Sequence, residues 1–167
     1  MFFSPVLTPD NPQTMTETTT YTATITITGI AFTPLSGPIA SPPYTGAKLT
    51  LLPSPKDQPA GIFKGDGESL VVAPPKDFKG SIVIQFILGD PDHTLLGLVF
   101  LPSDNHTGVT EFPSISLSRS QGKSVLSVTD DYLKADDDIT FDYRILVQRL
   151  STGHIGAIDP KIRSGIN

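Results

Sequence analysis

From Tyr21 the chain alternates: Tyr21, Ala23, Ile25 and Ile27 are separated by Thr22, Thr24, Thr26 and Thr28. Successive strand side chains point to opposite faces, so this period of two predicts a strand with one apolar face and one hydroxyl face. At Gly29 the phase slips. Ile30 and Phe32 continue the apolar series one residue out of step, which predicts a bulge or bend. Ser81–Leu88 is apolar on both sides, with Ile82, Ile84, Phe86 and Leu88 against Val83 and Ile87. Such a strand belongs in the middle of a sheet. Leu95–Leu101 reads the same way, after a turn at Asp90-Pro91-Asp92. The most regular strand is Asp138–Arg149, where Ile139, Phe141, Tyr143, Ile145 and Val147 share a face. Its other face carries Thr140, Asp142, Arg144 and Gln148.

Shorter segments fill the gaps. Lys48–Leu52 reads as a strand ended by Pro53, and Pro42-Pro43 place a loop before it, because proline donates no ladder hydrogen bond. Gly61–Phe63 and Ser69–Ala73 flank Gly65-Asp66-Gly67, a hairpin signal. Ser114–Arg119 alternates Ile115 and Leu117 with serines, and Gly122 turns the chain into Ser124–Val128. Thr129–Ala135 is the one helical signal, a short turn with Thr129 as its cap. About eight or nine short strands, turns at short intervals and little helix predict an all-β fold, an antiparallel β-sandwich of immunoglobulin-like or jelly-roll-like type. The expected core is Ile25, Ile27, Ile82, Ile84, Phe86, Leu98, Phe100, Phe141, Tyr143 and Ile145. Residues 1–20 read as an amino-terminal arm with Met15 as an alternative start to Met1, and 21–167 as a single domain.

Composition narrows the chemistry. Cysteine is absent from the 167 residues, which removes disulfides, thiolate metal sites and a cysteine nucleophile. The net charge is −5, with 12 basic and 17 acidic residues, and the basic ones do not cluster. Duplex or anionic-lipid binding needs cations gathered on one face, so neither nucleic acid nor a membrane is an expected partner. The start MFFSPVLTPD carries no cation and no long apolar stretch, unlike a secretory leader. The expected compartment is the cytoplasm, with a processed extracytoplasmic chain as the alternative.

Asp130, Asp131, Asp136, Asp137 and Asp138 crowd into nine residues. Calcium takes six to eight oxygen ligands, which a loop between strands can supply, so these five are the calcium candidates. The EF-hand spacing is missing, and a solvated acidic loop guarding a sheet edge accounts for the same residues. His93, His106 and His154 lie in separate loops without a short ligand spacing and read as surface histidines rather than a zinc set. No G-x-S-x-G, P-loop or G-x-G-x-x-G is present, so no catalytic residue and no cofactor is assigned. Tryptophan is absent, so a sugar platform would fall to the loop tyrosines Tyr44 and Tyr132.

The tail supplies a resemblance. A strand of the type D-I-T-F-D-Y-R-I-L-V is followed by a Gly-rich turn and Asp159-Pro160-Lys161-Ile162. This order resembles small bacterial β-sandwich proteins that end in a DP motif, the DP-EP family, and more distantly the AidA and PixA type inclusion-body proteins. It covers about the last 30 residues, and the chain lacks a Glu-Pro dipeptide. The resemblance implies an antiparallel sandwich in a bacterium and brings no catalytic residues. Read without it, Asp159-Pro160 is a turn, since Pro fixes φ.

The expected function is therefore a non-enzymatic binding or self-assembly module. A calcium-dependent or carbohydrate-binding module is the alternative, and a hydrolase with dispersed residues the third. Tyr21–Ile30 carries no edge-guarding Lys or Pro. That strand is then central, or its edge is covered by the apolar arm or by a second copy of the chain. A homo-oligomer formed through the arm or a sheet edge is the corresponding expectation.

Overall fold

β-Branched and aromatic residues at period two form strands wherever one face can be buried, and this chain does little else. The computed structural model describes residues 19–39, 43–67, 69–75, 78–101, 112–130 and 139–164. Among them are eleven strands and no helix. These are β1 (Thr19–Ala31), β2 (Gly46–Leu51), β3 (Phe63–Lys64), β4 (Ser69–Val72), β5 (Gly80–Leu88), β6 (His93–Phe100), β7 (Ser114–Ser120), β8 (Lys123–Asp130), β9 (Ile139–Arg149), β10 (Ile155–Ile158) and β11 (Lys161–Ser164). The chain is all-β, as the alternation predicts. The expected helical turn is not seen at its start: Thr129 lies in β8, paired with Val83 and Ser114. The rest of that turn and residues 1–18 of the arm fall outside the described residues.

The first sheet runs β2-β1-β5-β8-β7. β5 is central, as its two apolar faces require, and Ile82, Ile84, Phe86 and Leu88 are buried. β1 is central too. Its amino-terminal half extends beyond β2, and there Leu52 N–H donates to the Thr24 carbonyl at 2.8 Å. The Gln58 carboxamide meets both backbone groups of Thr22, accepting from its N–H and donating to its carbonyl. Both edges of the unguarded strand are thus occupied from within the chain. Between Thr28 and Ala31 the β1–β2 register slips by one residue, and Gly29 has φ 62°. This is the expected bulge, at a backbone angle that glycine adopts without strain.

Two pairings correct the antiparallel expectation. β1 runs parallel to β5 in register from Thr19–Gly80 to Ile27–Leu88, and β11 runs parallel to β4. Parallel neighbours need a long crossover, which residues 32–79 supply for β1 and β5. A period of two encodes which face a side chain takes, not the direction of the neighbouring strand.

In the second sheet β9 is the hub. β6 pairs with one side of it, while β10 and β11 share the other, and β4 and β3 follow beyond β11. β6 was expected to be central and is an edge, paired with β9 alone among the described strands. Ile158 faces Ile145 and Lys161 faces Asp142, which is one unbroken register across Asp159-Pro160. The Asp-Pro pair is therefore a gap in a ladder and not the turn expected from composition. It places Asp159 opposite Arg144 and Pro160, which has no N–H to donate, opposite Tyr143.

Both sheets feed one hydrophobic cluster. Ile25, Ile27, Ile82, Ile84 and Phe86 of the first sheet meet Leu70, Val72, Tyr143 and Ile145 of the second. The rings of Phe86 and Tyr143 lie 5.9 Å apart. Leu98 and Phe100, expected in the core, are half-buried against it, and the side chain of Phe141 falls outside the described residues. No helix among the described residues is long and apolar enough to cross a membrane.

Candidate functional site

The β7–β8 hairpin carries the most accessible chemistry. Ser114–Ser120 pairs with β8 on one side and, among the described strands, is the outer one of its sheet. Every residue of β7 is exposed, with Ile115 at 42% and Leu117 at 47%. The hairpin closes on Ser120–Lys123 through Gln121 and Gly122, both with positive φ (51° and 74°). That is the sign pattern of a type I′ turn, which suits the strand twist and favours Asn-Gly. Glutamine in its first position sits in a left-handed region that side chains avoid.

Against this turn lies a pocket of about 480 Å³, lined among others by Asp90, His93, Thr94, Arg119, Gln121 and Lys123. A smaller one of about 290 Å³ adjoins it through Arg119 and Ser124. The Arg119 guanidinium donates to Thr94 Oγ at 2.6 Å, and Ser124 Oγ accepts from the Leu95 N–H at 3.1 Å. These bonds tie the hairpin to β6.

The opposite wall is a turn that holds itself. His93 Nδ1 donates to Asp90 Oδ1 at 2.9 Å, and the Asp92 N–H donates to the same oxygen at 2.8 Å. Partial burial works to raise the Asp90 carboxyl, but the bonds from His93 and Asp92 outweigh it and leave it below the usual carboxylate value. His93 Nε2 is buried without a hydrogen-bond partner among the described residues. Asp92 faces the β9–β10 turn, accepting from Arg149 Nε, Ser151 N–H and Ser151 Oγ at 2.9–3.0 Å. The Arg149 bond, then those of Ser151, hold its carboxyl low.

The residues singled out from the sequence end up apart from this pocket, His93 excepted. Asp130 is fully buried at the end of β8, opposite Ile82, and is not a ligand on an open loop. Asp131, Asp136, Asp137, Asp138, Tyr132 and His106 lie outside the described residues. Among the described residues no group of three or more metal-ligating side chains forms. His154 is exposed in the β9–β10 turn.

Tyr44 is not a bare platform. The Arg144 guanidinium lies 4.8 Å over its ring and donates to its hydroxyl at 2.9 Å. The Tyr44 loop is held to β10 by N–H donation from Leu35 to the Ile155 carbonyl and from Thr45 to the Ala157 carbonyl, both at 2.8 Å. Arg144, read on the polar side of its strand, is 6% exposed. It donates to the Tyr143 carbonyl and pairs with Asp159 across the ladder gap. Arg119, Gln121 and Lys123 were passed over in the sequence reading. The available signal was two cations bracketing a turn in Arg119-Ser120-Gln121-Gly122-Lys123.

Compared with known proteins, the sequence matches no protein-family model and no curated protein.

Proposed function

We propose that the protein is a non-enzymatic self-assembly module that pairs with a second copy of itself along β7. The observation that carries this is an outer strand exposed along its whole length, with two large apolar side chains and a single charge, Arg119, next to its turn. A two-residue turn makes Ser120–Lys123 a hydrogen-bonded pair, and bonding then alternates along the ladder. The backbone groups of Ile115, Leu117 and Arg119 therefore face outward.

An antiparallel copy centred on Ser116 pairs Ile115 with Leu117 twice and serine with serine on the other face. It uses only outward backbone groups and gathers four apolar side chains about the two-fold axis. The core shared by the two sheets supports reading the fold as a β-sandwich, the architecture that the resemblance of the tail implies.

A non-enzymatic reading is supported by how the described polar groups are used. Asp90, Asp92, Arg144 and Arg149 hold loops and strands together. The carbohydrate alternative loses Tyr44 as an open stacking surface to Arg144.

Light scattering coupled to gel filtration tests the proposal. The expected mass is twice the 17.8 kDa of the chain, falling to the monomer in Leu117→Lys or Ile115→Lys with an unchanged circular dichroism spectrum. A monomer at all concentrations, or a dimer indifferent to both substitutions, sinks it.

A further inference from the structure

β7 is one edge of the first sheet. The opposite edge is formed by β2 and, past its end, by the amino-terminal half of β1. The chain itself covers this second edge. β2 meets the Asp66-Gly67 turn, where the Leu51 N–H donates to the Asp66 carbonyl at 3.3 Å. The Gly67 backbone lies so close to β2 that an added Cβ would meet Leu49 and Thr50 backbone atoms at 3.0–3.1 Å.

Past β2 the cover is thinner. Leu52, the residue after β2, donates its N–H to the Thr24 carbonyl at 2.8 Å. Backbone groups alternate sides along a strand, so Thr22 and Thr20 face the same way as Thr24. The β1–β2 register begins only at Ile25, and no described strand meets Thr22 on that side. The Gln58 carboxamide meets it instead, accepting from the Thr22 N–H and donating to the Thr22 carbonyl at 3.0 Å. A carboxamide offers a donor and an acceptor as a peptide group does, so Gln58 stands in for the backbone of a neighbouring strand. It is delivered by a strap, residues 52–61, that forms no strand and carries Pro53, Pro55 and Pro59. The Gln58 N–H donates to the Pro55 carbonyl at 3.0 Å, closing a turn with Lys56 and Asp57 exposed at its tip.

We propose that Gln58 is a removable plug on a second assembly edge, and that with the plug withdrawn β1 pairs with β1 of a second copy. The strand itself names this occupant. Thr19–Thr24 carries β-branched and aromatic residues and no charge, so nothing along it repels an identical strand. Set antiparallel about Tyr21, two copies place Thr22 of one against Thr20 of the other, twice, using only outward backbone groups. Thr19 then faces Ala23, one residue short of the Thr24–Leu52 bond. Tyr21, stacked on Phe78 at 4.8 Å, meets its counterpart at the axis, where cross-strand aromatic pairs are favourable. Two self-pairing edges on opposite sides of one sheet propagate without closing, so the plug would hold a β7-paired assembly at two copies. That limit rests on the β7 pairing proposed above; the plug itself does not.

Light scattering and amide hydrogen exchange at Thr22 test this together on the full chain. The variants are Gln58→Ala and Gln58→Leu, the second keeping the bulk of the side chain but neither bond. In dilute solution the Thr22 amide should exchange about tenfold faster or more in both. It should regain protection as the mass rises with concentration beyond the dimer. With Leu117→Lys added, growth should stop at a dimer. Lys56→Ala, at the tip of the strap turn, should alter neither mass nor exchange. Unchanged Thr22 exchange in both variants, an exposed amide with no gain in mass, or growth that leaves the amide exposed overturns the proposal. A wild-type monomer whose Gln58→Ala variant dimerises sinks the β7 pairing and upholds the plug.

Discussion

Removing the Asp159 carboxylate tests how the tail is built into the sheet. The unbroken β9–β10–β11 register places Asp159 across from Arg144, whose side chain is 8% exposed against 32% for Asp159. Asp159→Ala strands a buried guanidinium whose Nε already has no partner among the described residues. Its remaining acceptors are the Tyr143 carbonyl and the Tyr44 hydroxyl, each at 2.9 Å. A hydrogen bond to a charged group contributes about 1.5–3 kcal/mol. Solvent screening at the one-third-exposed carboxylate pulls toward the lower end, and the stranded cation pulls back up. The expected loss is about 2–3 kcal/mol, which at about 2–4 °C per kcal/mol for a chain of this size lowers the Tm by about 4–12 °C. Asp159→Asn keeps an acceptor and should lose roughly half as much, about 1–1.5 kcal/mol. Arg144→Met should cost less than Asp159→Ala, because it strands the wetter partner. Urea unfolding followed by circular dichroism reads all three, since the chain has no tryptophan to report. A double-mutant cycle should give a coupling of about 1–2 kcal/mol. A loss below about 0.5 kcal/mol for Asp159→Ala, or additivity within about 0.5 kcal/mol, would refute the pairing and with it the continuous register.

Three further outcomes follow from the structure. Phe86 is fully buried against Tyr143, so Phe86→Ala should cost about 3–5 kcal/mol in the same assay, and a loss under about 1 kcal/mol would mean that the core is elsewhere. Gln121→Gly removes a side chain from a φ of 51° and should stabilise by about 1 kcal/mol after glycine's own entropy is counted, so a fall in Tm would contradict the turn. Asp90 and Asp92 both titrate below the ordinary carboxylate value when folded, so the unfolded chain takes up protons first as pH falls. Their stabilisation is present above about pH 4 and lost below it. Melting curves from pH 6 to pH 2 should show the Tm falling in that acid range, with a shallower fall in Asp92→Asn.

Alternation alone determined the all-β class, the bulge at Gly29, the central place of β5 and the inward set of Ile25, Ile82, Ile84, Phe86, Tyr143 and Ile145. These are local properties, because the side-chain period of a strand is the same whatever lies beside it. Partner and direction are not local. Nothing within Thr22–Thr28 indicates that β1 runs parallel to β5, or that Gln58 covers the free end of its edge. Within its own strand Arg144 reads only as one of the polar side. Only the tertiary arrangement, with Tyr44 arriving from one loop and Asp159 from the far side of a ladder gap, makes burying its charge tolerable. Asp130 is the converse case: in sequence it belongs to an acidic loop, and in the fold it ends a strand inside the protein. The pocket beside the β7–β8 turn was equally hidden. Its walls come from turns roughly thirty residues apart, and a concavity exists only once two sheet ends are brought together.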